Sequence, residues 1–285
     1  MEKNKTEGGA LYLVATPIGN LADITERAKK VLSEVDFVAA EDTRNTAKLL
    51  SCYDIKNELV SYHEHNKRES GERIVARLLS GESCALVTDA GMPAISDPGE
   101  DLVRLARESG VVVHIIPGAC AAVSALALSG LSTRRFAFEG FLPAKSSERR
   151  ARLEAVASEA RTLIFYEAPH KLVDTLKDMA EIFGEARKIS LCRELTKLNE
   201  EVIATTLGEA VRYYENNDPR GEYVLVVEEG DGRSQKDEEK DKLLSLSPEE
   251  HVKHYENEGL ARMAAIKAAA RDRGLSKSEM YKLLI

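Results

Sequence analysis

The chain has 285 residues, of which 43% are hydrophobic and 31% are charged, a balance typical of a soluble globular protein with more than one domain. Its formal net charge of −8 argues against a protein that coats nucleic acid with its whole surface, although a local basic face remains compatible with it. No apolar run approaches the roughly 20 residues that span a bilayer, and the N-terminus lacks a signal-peptide core. We therefore expect a cytoplasmic protein.

In the first half of the chain, short apolar segments alternate with amphipathic ones. The apolar segments are LYLVA, DFVAA, ELVSY, CALVTDA and VVVHIIP, and each precedes a helical pattern. This alternation predicts a largely parallel sheet covered by helices, here assigned to an N-terminal α/β domain at residues 10–119.

The segments FAFEGF, RTLIFYEA, KISLCRE, EVIATT and EYVLVVEE follow, and the last of them are separated by short breaks only. Short breaks favour antiparallel pairing, so we predict a second α/β domain of mixed type at residues 120–230. The cleft between the two halves is the expected ligand position.

The C-terminal part has a different composition. Residues 231–247 are rich in charge and predict a linker, and Ser247 followed by Pro248 predicts the start of a helical module at residues 248–285. Six Lys or Arg residues and two acidic residues lie from Leu260 onward, so the module is basic. Its helix, glycine turn and helix resemble a helix-turn-helix, although a solvated helical cap explains the pattern equally well.

Three loops of the first half follow predicted strands and contain glycine, proline and small residues. They are TPIGN at 16–20, TDAGMPAISDPG at 88–99 and PGA at 117–119. Such loops let the backbone approach a ligand at the carboxyl ends of the strands, where open α/β sheets bind. A tight packing contact is the alternative for the third loop. The pattern GxGxxG is absent, so an ordinary dinucleotide site is unsupported.

The two aspartates of the second loop differ in what else could explain them. Asp97 precedes Pro98 and could cap the following helix, which is the favoured interpretation of this residue alone. Asp89 has no capping role in the sequence pattern. It is therefore the first residue that we would mutate.

Polar side chains also follow other predicted strands. AEDTR at 40–44 and SYHEHN at 61–66 are the clusters in the first half, and CRELTK at 192–197 is one in the second. A His-x-His pair without a further ligand is poor support for a metal, and the four cysteines lie far apart, so we predict no metal site. Neither a GxSxG elbow nor a Walker A sequence occurs.

Taken together, VATPIGNLADIT, AEDTR, SYHEHN, LVTDAGMPAISDPG, PGACAAVSAL, FEGFLP, FYEAPHK, CRELTK and GEYVLVVE resemble the 16S ribosomal RNA (cytidine-2′-O)-methyltransferases of the tetrapyrrole (corrin/porphyrin) methylase superfamily. The resemblance covers residues 10–285. It implies two α/β domains with S-adenosylmethionine in the cleft between them, a homodimer, and methylation of a cytidine ribose in the decoding region of the small ribosomal subunit.

The resemblance also implies a set of cofactor residues, which carry over by motif. They are Pro17, Asp89, Gly91, Ile95, Pro117, Gly118, Ala119, Tyr166, Ala168 and Leu195, with Gly221 and Glu222 near the adenine. The long DAGMPAISDPG segment departs from the shorter loop of tetrapyrrole methylases.

Transfer to a ribose hydroxyl requires a group that accepts its proton. We hypothesise a base among Glu41, Asp42, His63 and His65, with Arg44 or Lys197 holding a phosphate or the developing alkoxide. RNA contacts are predicted at Arg134, Arg135, Arg149, Arg150, Arg262 and Arg271, where solvated helix faces are the alternative. A methylase of a tetrapyrrole precursor and a non-catalytic RNA-binding assembly factor are the competing functions.

Overall fold

The computed structural model describes residues 6–232 and 243–284, which form two compact units. The first unit runs as far as Glu154 and continues from Arg161 to Glu228, and the second comprises Ala155–Ala160 and the chain from Glu229 onward. Residues 233–242 of the predicted linker lie outside the described residues. The proposed domain boundaries stay a prediction.

The first sheet has five strands, all parallel, as the alternating pattern predicts. In chain order they are β1 (Ala10–Val14), β2 (Phe37–Ala40), β3 (Glu58–Ser61), β4 (Cys84–Val87) and β5 (Val112–Ile116). The spatial order is β3-β2-β4-β1-β5, so β3 and β5 are the edges. All eight residues of β2 and β4 are buried, as expected for central strands covered on both faces.

Four helices cover this sheet: α1 (Glu26–Glu34), α2 (Thr43–Cys52), α3 (Lys67–Leu79) and α4 (Glu100–Glu108). Short polar side chains start the first two, since Thr25 accepts from the backbone N–H of Ala28 and Asp42 from that of Arg44. Alternate strand residues pack into separate apolar clusters on the two faces, Val38 in one and Phe37 in the other. The carboxyl ends of the parallel strands therefore meet along one edge of a rigid sheet.

The second sheet contains β6 (Phe136–Phe141), β7 (Thr162–Glu167), β8 (Lys188–Arg193), β9 (Glu201–Thr206) and β10 (Tyr223–Val227). Its order is β6-β7-β10-β8-β9, with β6 and β7 parallel and the remaining neighbours antiparallel. The predicted α/β class with mixed pairing in this half is confirmed. The central strand β10 is fully buried and follows β9 only after one helix.

Helices α5 (Ala121–Leu128), α6 (Ser146–Val156), α7 (Pro169–Phe183) and α8 (Leu207–Tyr214) accompany this sheet. Helix α5 ends before Gly130, which adopts a left-handed φ of 71°. Its buried face packs with Ile164, Cys192 and Val224 of the second sheet. Proline stands at the first position of α7, where its missing N–H costs nothing.

The second unit includes the helices Pro248–Asn257, Arg262–Asp272 and Lys277–Lys282. Ser247 and Ser276 cap the helices that begin at Pro248 and Lys277 with reciprocal Glu partners, which confirms the helix start predicted at Ser247. Val252, Ile266, Ala269 and Met280 form its apolar core. No helix among residues 6–232 and 243–284 has the length and apolar character needed to cross a membrane.

Candidate active site

The loops after β1 and β4 are joined by backbone hydrogen bonds at the carboxyl edge of the first sheet. The N–H of Thr16 donates to the carbonyl of Gly91 at 2.9 Å, and the N–H of Gly91 donates back to the carbonyl of Thr16 at 3.1 Å. The Thr16 hydroxyl donates to the carbonyl of Thr88 at 3.2 Å. Two of the loops that the sequence singled out therefore form one connected wall.

The loop after β4 has an unusual backbone. Gly91, Ala94, Ser96 and Gly99 all have positive φ, at 82°, 68°, 62° and 149°. The left-handed region is sterically unfavourable for Ala94 and Ser96, and such backbone strain is concentrated at functional sites. A Cβ on Gly99 would lie 3.0 Å from the Cβ of Ala94, so the loop folds tightly on itself. The glycines of the quoted segment are explained by this compact turn.

The second sheet contributes Tyr166, at the end of β7, and the loop after β8. The Tyr166 hydroxyl accepts from the N–H of Ala122 at 3.2 Å, in the first turn of α5, and its ring packs edge-on against Phe138 and Phe141. Burial raises the pKa of Tyr166 to about 12, so its hydroxyl stays protonated. Tyr166 thus fixes the start of α5 beside the cavity.

Glu194 and Lys197 form an ion-paired corner at the other side of the site. The Lys197 ammonium contacts carboxylate oxygens of Glu194 and Glu222, at 2.8 Å each. Burial lowers the pKa of Lys197, but the two carboxylates outweigh that effect and the pKa is raised overall. Lys197 and then the backbone N–H of Glu222 hold the pKa of Glu194 below its ordinary value. The three charges are therefore fixed relative to one another.

Two glycines allow the loops to approach this corner. A Cβ on Gly19 would lie 2.4 Å from Cγ of Lys197, and a Cβ on Gly221 would lie 2.4 Å from Cγ of Glu194. Gly19 follows β1 of the first sheet, whereas Lys197 follows β8 of the second. Loops of both sheets consequently meet in direct contact.

The cavity that these loops enclose has a volume of about 570 Å³. Its size lies in the range of small-molecule sites. Apolar side chains such as Ile18, Ile95, Leu195 and Phe141 form part of the wall, and Cys120 and Ala121 bring the start of α5 to it. The carboxylates that line it belong to Glu41, Asp89, Asp97, Glu167, Glu194 and Glu222. Lys197 supplies the ammonium among the lining side chains, so the cavity is strongly acidic.

Asp97 does not cap the following helix, contrary to the favoured interpretation of its sequence position. Helix α4 begins at Glu100, its N-cap position is Gly99, and no side chain caps it. The Asp97 side chain lines the cavity instead. Burial, opposed by a hydrogen bond from Thr88 and aided by the charges of Glu41 and Asp89, raises the pKa of Asp97 to about 6. The tight turn at 94–99 separates this aspartate from the helix start.

Of the residues proposed for catalysis, Glu41 and Lys197 line the cavity. Asp42 caps α2 and forms a two-point ion pair with Arg44, whose side-chain and backbone hydrogen bonds lower the pKa of Asp42. His63 and His65 follow the edge strand β3 and do not line the cavity, although their rings lie 5.9 Å apart. Among the described residues, no three His, Cys, Asp or Glu side chains are arranged as a metal site.

The residues proposed for the cofactor divide into two groups. Asp89, Gly91, Ile95, Tyr166, Ala168, Leu195 and Glu222 line the cavity. Pro17, Pro117, Gly118, Ala119 and Gly221 lie outside its lining, in the adjoining loops. A Cβ on Gly118 would lie 2.9 Å from the Cβ of Ala15, which fits the packing alternative for the third loop. The individual roles of all twelve stay predictions.

The residues proposed for RNA contact are found in three settings. Arg134 and Arg135 are exposed between α5 and β6, and Arg262 and Arg271 are exposed on the second unit. The predicted RNA contact of Arg149 is wrong. Its side chain is buried and donates to Asp178 at 2.7 Å, so it cannot contact RNA at the surface. Arg150 binds Asp178 and Glu181 on α7 and has a structural role as well.

Several lining residues were missed by the sequence reasoning. Ile18, Met92, Ser96, Cys120 and Phe141 lie inside or beside motifs that had been noted, and position within those motifs was the available signal. Glu194 was noted as following a strand, but nothing in the sequence revealed its left-handed φ of 51° or its pairing with Lys197. The same carboxylate also accepts from the N–H of Glu222, 28 residues later in the chain, and a local pattern does not contain that contact.

Comparison with known proteins places this geometry in a family. The sequence model described as tetrapyrrole (corrin/porphyrin) methylases matches residues 10–211. A protein of Halalkalibacterium halodurans named ribosomal RNA small subunit methyltransferase I is 51% identical over 281 residues, which are 99% of this chain and 96% of that protein. Its namesake in Bacillus subtilis is 48% identical and covers 97% of this chain and 94% of its own length.

A solved structure shows the same fold. The uroporphyrin-III-C-methyltransferase of Thermus thermophilus superimposes with a TM-score of 0.54 at 22% identity, over 79% of this chain and 95% of that one. At this identity the likeness concerns the fold alone. The sequence model, by contrast, matches the chain from the first strand to α8, through every loop that lines the cavity up to Lys197. The chain therefore belongs to the tetrapyrrole (corrin/porphyrin) methylase family.

Proposed function

We propose that this chain is an S-adenosylmethionine-dependent methyltransferase that methylates the 2′-oxygen of a cytidine ribose in the decoding region of 16S ribosomal RNA. The observation that carries the proposal is the acidic cavity of about 570 Å³, which loops of both sheets enclose. Relatives at 51% and 48% identity over nearly the whole chain are named as methyltransferases of small-subunit ribosomal RNA, which supports the choice of substrate class.

The lining residues fit the proposed cofactor. S-adenosylmethionine has two cationic groups, and the carboxylates of Glu41 and Asp89 favour positive charge inside the cavity. Ile95 and Leu195 offer apolar surface to a nucleoside, and the start of α5 offers backbone N–H groups to a carboxylate. When bound, the cofactor supplies a methyl group activated by its positively charged sulfur. The protein's own task is to orient the acceptor hydroxyl and remove its proton.

The charge of the cavity favours RNA over the competing tetrapyrrole substrate. A tetrapyrrole precursor has several carboxylates, which the carboxylates of Glu41, Asp89, Asp97 and Glu222 would repel. A ribose is neutral, so these carboxylates do not repel it, and Arg134 and Arg135, which are exposed just before β6, are the arginines proposed to contact its flanking phosphates. Neither of these two arginines has an ion-pair partner among the described residues.

A transfer assay tests the substrate directly. Labelled S-adenosylmethionine is incubated with small subunits that lack the modification, with free ribosomal RNA and with a carboxylated tetrapyrrole, and the label is located by digestion. Subunits that already carry the methyl group are the matched control. We expect label on a cytidine 2′-oxygen of the unmodified subunits or RNA. Label on the tetrapyrrole would establish the competing methylase instead.

Calorimetry separates both enzymes from the non-catalytic assembly factor. An enzyme of either kind binds S-adenosylmethionine in the cavity, and a factor that only binds RNA has no need to do so. We expect saturable binding with one site per chain. Absence of binding, with intact RNA binding, would favour the assembly factor.

The salt dependence of RNA binding tests the role of Arg134 and Arg135. Each phosphate contact to single-stranded RNA contributes about 0.7 to the slope of log affinity against log salt. Replacing both arginines by Ala should weaken binding and reduce that slope by about 1.4. Arg68→Ala, which removes a charge from an exposed side chain of α3, is the control. An unchanged slope in the double variant would refute their electrostatic role.

A further inference from the structure

Asp97 is the lining carboxylate whose role the fold itself does not explain. Asp97 lines the cavity, it caps no helix, and it has no ion-pair partner among the described residues. The backbone on both sides holds it there, since Ala94 and Ser96 are left-handed and Gly99 is too. A Cβ on Gly140 of β6 would lie 3.1 Å from the Ser96 hydroxyl, so the second sheet supports the same turn.

The other lining carboxylates are held by hydrogen bonds that the structure assigns to them. Glu41 accepts from the Thr88 hydroxyl at 3.0 Å, and Asp89 accepts from the Asn45 amide at 2.9 Å. Glu167 is buried and accepts from the Thr175 hydroxyl at 2.6 Å. Glu194 and Glu222 share the Lys197 ammonium. These hydrogen bonds and ion pairs hold the oxygens of the five other carboxylates against groups of the protein itself.

The surroundings of Asp97 favour proton uptake. The polar and titratable groups that act on Asp97 come from several elements. They are Thr88 and Asp89 in the loop after β4, Glu41 after β2 and Tyr166 on β7. Burial and two neighbouring carboxylates raise its pKa to about 6, against the hydrogen bond from Thr88. A carboxylate with a pKa slightly below neutral is ionised in the resting protein, yet it accepts a proton more readily than an ordinary aspartate.

We propose that Asp97 is the general base that removes the proton from the acceptor ribose hydroxyl. The inference rests on the proposed function. The O–H bond breaks and its proton goes to a carboxylate oxygen of Asp97. The electron pair of the oxygen forms the new bond to the methyl carbon, while the bond between that carbon and the donor sulfur breaks and its pair stays on sulfur.

This assignment replaces the base hypotheses drawn from the sequence. Asp42 is paired with Arg44 and lies outside the cavity lining, and His63 and His65 lie outside it as well. Glu41 remains in the cavity as a neighbour of Asp97, joined to it through Thr88. Burial is the main cause of the raised pKa of Asp97, and the charge of Glu41 adds to it.

Single-turnover methylation tests the proposal, with rates measured from about pH 5 to pH 8 at saturating RNA and cofactor. The wild-type rate should rise tenfold per pH unit below an apparent pKa of about 6 and level off above it. Asp97→Asn should lower the plateau by roughly 10²- to 10⁴-fold and remove the rising limb. Glu100→Gln, which removes an exposed carboxylate outside the cavity lining, is the matched control and should leave the profile unchanged.

Chemical rescue provides a second variant. Asp97→Ala leaves space in a cavity of about 570 Å³, and added formate should restore part of its rate in proportion to formate concentration. Formate should not accelerate the wild type or Glu100→Gln. Lack of rescue, together with a pH profile like that of the wild type, would overturn the assignment.

Two readouts do not depend on turnover. Carbon NMR of the aspartate carboxyls should show one resonance titrating near pH 6 that is missing from Asp97→Asn. Calorimetric affinity for S-adenosylmethionine should change by less than about threefold in Asp97→Asn. A large loss of affinity with an unchanged rate at saturation would make Asp97 a cofactor-binding residue and overturn the proposal.

The two proposals fail in different ways. If the wild type methylates no ribosomal RNA, the proposed function is wrong and the base assignment falls with it. If the wild type methylates RNA and Asp97→Asn does so at the same rate and pH dependence, the function stands and the base assignment alone is overturned.

Discussion

Gly221 shows how a single position controls the ion-paired corner of the cavity. It has a φ of 77°, and a Cβ there would lie 2.4 Å from Cγ of Glu194. Any side chain at this position would displace Glu194 from Lys197 and from the N–H of Glu222. The residue combines two needs that only glycine meets, a left-handed backbone and an absent side chain.

Gly221→Ala should therefore lose more stability than the same change at Gly110, whose φ of 79° is similar but whose Cβ would meet no atom within 4 Å. Gly110→Ala costs the backbone strain alone, about 1 kcal/mol. Gly221→Ala adds the displaced ion pair, so we expect a loss of about 2 to 3 kcal/mol. Urea unfolding measures both. Equal decreases in the free energy of unfolding for the two variants would show that the contact with Glu194 does not contribute to stability.

Asp97 gives a second prediction at the residue scale, through the pH dependence of stability. Its pKa is raised in the folded protein, so the folded state binds this proton more tightly than the unfolded chain does. The resulting stabilisation is complete below about pH 4 and is lost as the pH rises through about 6. The Tm of Asp97→Asn should match the wild type at acid pH and exceed it above pH 7 in differential scanning calorimetry. A constant difference across this range would contradict the raised pKa.

At the element scale, ion pairs connect helices α6 and α7. Arg149 and Arg150 on α6 both contact the carboxylate of Asp178 on α7, and Arg150 also contacts Glu181. The side chains of Arg149 and Asp178 are nearly buried, at 7% and 12% exposure. Removing one partner of a buried pair leaves the other charge poorly compensated.

Arg149→Met should lower the free energy of unfolding by about 3 kcal/mol, although Arg150 continues to contact Asp178. Arg134→Ala, at an exposed position outside such a network, should change it by less than about 0.5 kcal/mol. For RNA binding we expect Arg134→Ala to have the larger effect, because Arg134 is predicted to contact phosphate and Arg149 is not accessible. A stable Arg149→Met variant with weakened RNA binding would contradict both statements.

At the scale of the whole molecule, α5 and β5 expose apolar surface that water does not favour. Helix α5 is apolar on nearly all sides, yet Val123 and Leu128 are about half exposed, and so are Val112 and Ile115 on the edge strand β5. A helix that is hydrophobic all round is normally buried. Exposed apolar side chains such as Val123 and Leu128 are expected where a second copy would cover them in the predicted homodimer.

Sedimentation tests this interface with Val123→Lys combined with Ile115→Lys. A charge on each exposed apolar position should convert a dimer into a monomer at micromolar concentration, because a buried unpaired ammonium is costly. Leu79→Lys, at a leucine that is 62% exposed at the end of α3, is the control and should leave the dimer intact. A wild-type chain that sediments as a monomer would refute the homodimer.

The sequence by itself determined the order of elements and the edge at which the cavity forms. Apolar runs and capping residues such as Ser247 and Ser276 are local signals, and parallel strands necessarily bring their following loops to one edge. For that reason the loops after β1 and β4 and Glu41 could be anticipated as parts of the site, whereas Leu195 was expected only from the resemblance of its motif.

Only the tertiary structure decided what each charged side chain does. Asp97 and Arg149 both stand in sequence patterns typical of another role, a helix cap and an exposed basic run. Burial of Asp97 beside Glu41 and pairing of Arg149 with Asp178 depend on segments far away in the chain. The protonation and accessibility of a charged group follow from its three-dimensional neighbours and its distance from water, and no local pattern in one sequence contains either quantity.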